Sequence, residues 1–414
     1  MAQKQIHASV EIADHEIRLV VGEFHENHLN ILRVERVKHS GIEQQKIVNE
    51  ASIVNALTKA CENASSVLGY KIERVLLVVP SVEMKKLNGR VNATVKSGKV
   101  QLSDIQKGIN EIITSEHDEH LELVNVGGIK YIINGISSRK LPLNEECDQF
   151  AIDLDLFYCE KNALYSYANI IEKAGLEILD ICLDSYAIGE EAALFEQAVS
   201  NYIVLIHLER QTTTLSLFSH GKLLNSEVLH EGYGEWISPL ANLTGLKSDV
   251  CVRLLSENAA LKEDEYSQDP IFLWANDNGE QTLSLKQLHE TVYPAHSRWV
   301  EMMKNACEPI VAAEGSQVIL TGEGLELAGM SDIVGNIAER ASIYVPQTIG
   351  ARDCSLTATL GMFYAWREIN MIRNNPALVS SEQAIAESIK TAKKNNGEET
   401  GFTKKLMSII MNER

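Results

Sequence analysis

Residues 9–38 read SVEIADHEIRLVVGEFHENHLNILRVERVK, and residues 202–231 read YIVLIHLERQTTTLSLFSHGKLLNSEVLHE. In the first, SVEIA and IRLVVGEF alternate around a DHE turn, and LNILRVERV follows a HENH turn. In the second, YIVLIHL, TTTLSLF and LLNSEVLH are divided by ERQ and SHGK. A helix over about Ile47–Leu68 and the strand KIERVLLVVPS follow the first set. A long helix over about Ser297–Ala313 and the strand QVILTGEG follow the second. Three meandering strands, a helix and a strand thus occur twice, with little residue identity between the copies. The runs VLLVV and YIVLI are apolar on both faces, which calls for a sheet covered on both sides. The sequence predicts an α/β fold built by duplication.

Two stretches interrupt this grammar. Residues 84–160 are more polar and carry their own strands, KYIINGI and AIDLDLFY. Residues 236–296 read as helical, with the charged run KEDEYSQD. The expected organisation is a first lobe over 1–83 and 161–200, with an accessory subdomain at 84–160. A second lobe spans 201–231 and 313–373, with an accessory subdomain at 232–312. A flexible linker is expected over 374–400 and a terminal helix over 401–414.

Hydrophobic content of 45% and charged content of 23% suit a chain with a packed core. The net charge of −19 repels phosphate backbones and weighs against nucleic acid as a partner. The seven cysteines are scattered without CxxC spacing, which favours neither structural zinc nor a disulfide framework. They suit a reducing cytosol. The polar start is unlike a secretory signal, and no run of about 18 apolar residues is present.

The last residues read GFTKKLMSIIMNER after a long polar stretch. On a helix, Phe402, Leu406, Ile409 and Ile410 share one face, Met407 widens it, and Lys404 and Lys405 lie opposite. From Lys393 onward five basic residues stand against three acidic ones, leaving the tail at +2 and the remainder at −21. A basic amphipathic segment on an acidic body is what contact with anionic lipid requires. Each fully buried Leu or Ile contributes about 1.5–3 kcal/mol. Ordering the free peptide costs about 1 kcal/mol or more per residue. One copy anchors weakly, so attachment calls for several copies in one assembly.

The duplicated pattern resembles the actin and Hsp70 ATPase fold, an actin-like, ribonuclease-H-like duplication. Within it the chain resembles the FtsA family of bacterial cell-division proteins over about residues 6–370 and again at the end. LVNVGGIKYIINGI (123–136) and LYSYANIIEKAGLEILDI (164–181) read like family segments. VILTGEGLELAG (318–329) is similar to the family's LTGG-x-A-x-x-x-G turn, and GFTKKLMSII to its terminal helix. The resemblance implies two lobes, each with an accessory subdomain, and ATP with magnesium held between them.

The turns that would hold ATP depart from the family pattern. Where the family has Asp-Ile-Gly-Thr, this chain has Glu11, Ile12, Ala13 and Asp14. Where it has Asp-Ile-Gly-Gly-Gly-Thr-x-Asp, this chain runs from His207 to Thr214. The metal-side aspartate becomes His207 and the glycines are gone, while Thr212 and Thr213 persist. Arg210 offers one compensating charge. Gly322, Gly324 and Gly329 remain in the third turn, but Glu323 replaces a glycine. A phosphate cradle needs open backbone N–H groups at positions glycine fills easily. The replacements weigh against ATP binding and hydrolysis, and His207 reads as a core or turn histidine at a strand end. His117, Asp118, Glu119 and His120 read as a solvated loop, and no metal site is expected.

The resemblance further implies self-association and attachment of FtsZ, through its C-terminal tail, to the cytoplasmic face of the membrane at the septum. In the family that tail docks on the region equivalent to 232–312. The 84–160 region serves self-association and later division proteins. The alternatives are an actin-like pilus or secretion assembly protein and an ATPase with unusual phosphate loops.

Overall fold

The computed structural model describes residues 5–391, apart from 27, 44, 116–118, 259–260, 277–278 and 389. Strands β1 (Gln5–Ile12), β2 (Glu16–His25) and β3 (His28–Lys38) form an antiparallel meander. A small hairpin of β4 (Ile42–Glu43) and β5 (Lys46–Ile47), helix α1 (Glu50–Leu68) and strand β6 (Arg74–Val79) follow. Next come β7 (Lys85–Thr94), α2 (Leu102–Ser115), β8 (Leu121–Ile133), β9 (Ile136–Ser138) and β10 (Gln149–Glu160). They make a separate sheet in the order β7-β10-β8-β9, with α2 against β7. Helix α3 (Lys161–Lys173) returns the chain to β11 (Glu177–Leu183), which completes the first sheet, β3-β2-β1-β6-β11.

Helices α4 (Asp184–Glu191) and α5 (Leu194–Gln197) lead to the second half. There β12 (Tyr202–Leu208), β13 (Thr213–Ser219) and β14 (Lys222–Leu229) repeat the meander. Helices α6 (Gly234–Thr244) and α7 (Ser248–Glu257), the hairpin β15 (Pro270–Asn276) and β16 (Gly279–Ser284), and α8 (Leu285–Val311) come next. Strand β17 (Gln317–Thr321), α9 (Met330–Ile333), β18 (Ala341–Ile343) and α10 (Thr357–Arg373) finish the fold. The second sheet runs β14-β13-β12-β17-β18. Edge to edge this is the first sheet's order, with parallel pairing at β1–β6, β6–β11, β12–β17 and β17–β18. The architecture is a two-lobed α/β duplication of actin-like type.

The sequence explains the layering. Ile6 through Ile12 are all buried, as a sheet covered on both faces requires. Helix α1 buries Ile53, Leu57, Ala60 and Ala64, begins on the Asn49 cap and ends at Gly69, whose φ of 78° suits glycine. Helix α10, expected with the second lobe as part of 313–373, instead buries Leu360, Phe363 and Trp366 against the first-lobe elements. An added Cβ at Gly361 would lie 1.7 Å from the Ala187 carbonyl oxygen, so glycine lets α10 close on α4. A second core gathers Trp236, Leu240, Leu288 and Trp299 under the second lobe.

Three local readings differ from the structure. Helix α8 starts at Leu285, well before Ser297, on a capping box of Ser284 and Gln287, and it carries Pro294 within it. The 236–296 stretch contains the β15–β16 hairpin as well as helices. The start of the expected linker is docked: Val379 donates to the Ile6 carbonyl at 2.9 Å and accepts from Glu73 and Arg74. Leu378, Val379 and Ile385 are buried there. Residues 401–414, and with them Phe402, Lys404, Lys405, Leu406, Met407, Ile409 and Ile410, lie outside the described residues, as do His117 and Asp118.

Candidate functional site

Three turns converge between the lobes. In the first, between β1 and β2, the Ala13 N–H donates to the Glu16 carbonyl at 3.0 Å. In the second, between β12 and β13, the Glu209 N–H donates to the Thr212 carbonyl at 2.9 Å. The third follows β17 and opens at Gly322 with φ 102°. A Cβ there would lie 2.5 Å from the Leu208 carbonyl oxygen, and one at Gly324 would lie 2.5 Å from the Leu208 side chain. These glycines are required by the close packing of the third turn on β12.

Arg18 lies at the centre. It sits on β2 directly across from Glu11 on β1, and none of its side chain reaches solvent. Its guanidinium donates to Glu16 at 2.8 Å, Glu209 at 2.7 Å and the Ser355 carbonyl at 3.1 Å. Glu11 and Glu323 each lie at 3.4 Å. Glu11 and Glu16 belong to the first lobe, whereas Glu209, Glu323 and Ser355 come from the second lobe's turns and the approach to α10. Arg36 on β3 adds a second cation, paired with Glu16 at 2.6 Å and Asp353 at 2.9 Å.

Two carboxylates take backbone N–H groups of the turns. Asp14 accepts from the Gln211 N–H at 2.5 Å, across the lobes, and from His15 at 2.7 Å. Glu209 accepts from the Glu323 N–H at 3.1 Å. His15 also reaches Glu323 at 3.1 Å. His207 lies 3.1 Å from Glu209 and 3.8 Å from Asp184 at the start of α4. Asp184 in turn accepts from the Ser81 N–H at 3.0 Å and its hydroxyl at 2.5 Å.

The charge states follow from this packing. Burial opposes the charge on His15, but Asp14 and Glu323 hold its pKa up at about 9. Burial likewise opposes the charge on His207, and Glu209 with Asp184 overcomes it, so its pKa is raised. His207 is buried at the end of β12 and links Glu209 toward Asp184. Burial pushes Glu11 up to about 7 against the attraction of Arg18. Glu209 is held low, because Arg18 and His207 outweigh its burial.

The other expected residues fall elsewhere. Ala13 is buried in the first turn. Thr212 is buried and lines the central cavity. Thr213 donates to the Glu231 carbonyl at 2.5 Å and accepts from the Trp299 indole at 3.0 Å, a packing role. Arg210 supplies no charge to the centre: it points outward, 3.6 Å from Asp249, which also binds Lys38 at 2.8 Å. Sequence reading missed Arg18, Arg36 and Asp184 altogether. The available signal was an arginine inside the apolar run IRLVV, opposite a glutamate across a short turn.

The residues of the three turns do not fit the phosphates of a magnesium nucleotide. The cavity among the turns holds about 40 Å3. That is space for a few water molecules, against the ~300–1,000 Å3 of ordinary small-molecule sites. Outside it the cleft widens into an open groove of about 670 Å3 lined by Glu43, Lys46, Arg210 and Glu235. Among the described residues, His15, Glu16 and Glu323 bring ligand atoms within 4.8 Å of one another. Arg18, Arg36 and His15 already neutralise those carboxylates, and we assign no metal there.

No family model matches the chain. Curated relatives do: the cell division protein FtsA of Bacillus subtilis is 22% identical over 94% of this chain and 89% of its own length. FtsA of Enterococcus faecalis is 20% identical over 85% of this chain and 81% of its own. Among solved structures, a PilM-PilN type IV pilus biogenesis complex matches with a TM-score of 0.55 at 11% identity, covering 88% of this chain and 98% of that one. MreB5 of Spiroplasma citri bound to ADP matches with a TM-score of 0.51 at 11% identity, covering 90% and 99%. These structural likenesses carry the actin-like fold. In sequence the chain is similar, over most of its length, to the cell-division protein FtsA.

Proposed function

We propose that this protein is an actin-like division scaffold. It self-associates, holds the C-terminal tail of FtsZ, and rests on the cytoplasmic face of the membrane at the septum through the helix containing Phe402, Leu406, Ile409 and Ile410. The observation that carries this reading is the end-to-end match to FtsA relatives, over 94% of this chain and 89% of the relative. The basic, amphipathic end supports lipid contact, and among the described residues no helix is long and apolar enough to cross a membrane. In the same reading the inter-lobe cleft neither binds nor hydrolyses ATP. The small cavity supports that, as do Asp14 and Glu209, whose carboxylates take turn N–H groups that a phosphate would need.

Co-sedimentation with anionic liposomes, with and without FtsZ, tests the scaffold. Full-length protein should pellet with lipid and carry FtsZ along, and protein lacking residues 400–414 should leave both in the supernatant. Lipid binding that survives the deletion would overturn the tether. A full-length protein that binds lipid but leaves FtsZ in solution would overturn the partner.

A further inference from the structure

The residues between the lobes do more than leave a ligand out. We infer that Arg18 and the turn carboxylates are a built-in substitute for a bridging ligand and hold the two lobes closed without any small molecule. The inference rests on the reading that the cleft takes no nucleotide.

Three observations carry it. First, Arg18 is fully enclosed yet makes its shortest contact, 2.7 Å, with Glu209 of the opposite lobe. A guanidinium with no exposure is retained only where several acceptors meet it in good geometry, and here carboxylates of both lobes and a carbonyl do so. Second, two of the turns' backbone N–H groups are taken by side chains. Asp14 takes that of Gln211 and Glu209 takes that of Glu323, so side-chain carboxylates occupy the anion positions. Third, the ties run both ways. Asp14 reaches from the first lobe to the second, Glu209 reaches back to Arg18, and His207 connects Glu209 toward Asp184. Opening the cleft would strip partners from several buried charges at once. A scaffold closed in this way assembles whenever its concentration permits, with no ligand-driven step.

The test is an inter-lobe distance in the full-length protein. Spin labels at Lys46→Cys and Ser238→Cys, both exposed on opposite walls of the groove, report cleft width when Cys147 is replaced by Ser. The otherwise unaltered protein should give one narrow distance that millimolar magnesium ATP leaves in place. Arg18→Met should lengthen and broaden it. Because that variant strands several carboxylates, Arg18→Met combined with Glu11→Gln and Glu209→Gln serves as the second case. It lessens the repulsion without restoring the tie, and it should open as well. A folded triple variant with the narrow distance intact overturns the clamp. A distance that shifts with magnesium ATP while Arg18→Met still opens overturns the nucleotide reading and leaves the clamp standing.

Discussion

The β1–β2 and β12–β13 hairpins have one backbone and two electrostatic roles. In the first, Glu11 faces Arg18 and Ile12 faces Ile17; in the second, His207 faces Thr214 and Leu208 faces Thr213. The turns match as well, since Ala13 donates to the carbonyl three residues on and Glu209 does the same. Equivalent places therefore hold Arg18 and Thr214, and Ala13 and Glu209. The first hairpin contributes the guanidinium, and the second contributes a carboxylate where the first has only a methyl group. A duplicated backbone brings two equivalent turns face to face, and unequal side chains decide whether they bind a third body or each other.

Removing the fully buried Arg18 breaks this asymmetry most severely. Arg18→Met should cost about 3–5 kcal/mol in urea unfolding, because it leaves buried carboxylates uncompensated. Loss below about 1 kcal/mol would mean that the lattice contributes little to stability. Its second-lobe counterpart, Glu209→Gln, keeps an acceptor but loses the charge, and should cost about 1.5–3 kcal/mol by the same measurement.

The pH dependence sharpens the comparison. His15 has a folded pKa of about 9, above its unfolded 6.5, so its contribution is complete below 6.5 and is lost as pH rises through 9. Glu11, raised to about 7, favours folding while protonated and weakens it as pH climbs from 4.5 to 7. These two groups contribute a fall in urea midpoint from pH 4.5 to 9, against which buried His7, His39 and His296, each lowered to about 4, contribute a rise up to pH 6.5. Glu11→Gln should flatten the lower part of that slope and His15→Asn the upper part. His207 acts in the same sense as His15, so some slope should persist in His15→Asn.

The smallest effect belongs to Arg210, which sits on the second turn but faces outward. Arg210→Ala should change stability by less than about 1 kcal/mol, as loss of a long, partly solvated pair to Asp249 would. A loss as large as that of Glu209→Gln would show that the second turn carries its own buried cation.

Much of the fold was legible. Three strands, a helix and a strand, read twice, emerged as two sheets with one strand order, because alternation and continuous apolar runs are dictated by which faces are covered. Helix α8 was misplaced because Pro294 resembles a boundary, whereas Ser284 and Gln287 set the start. The linker was begun too early because the polar run from Ser380 onward outweighs the short apolar step Ala377–Val379, although Val379 supplies backbone bonds between β1 and β6. At the site, the lost glycines and incoming carboxylates were visible as departures from a pattern. Their partner was not. Arg18 sits in an apolar run, where a charge is costly until Glu11, Glu16 and Glu209 are brought around it, and that convergence is a property of the assembled lobes. The same limit applied to Arg210, whose direction depends on Asp249 of α7.

If the chain's own charges fill the turns, isothermal titration calorimetry of magnesium ATP into the full-length protein should show no saturable heat up to millimolar nucleotide. Saturable binding at micromolar concentrations would mean that the turns still admit the nucleotide.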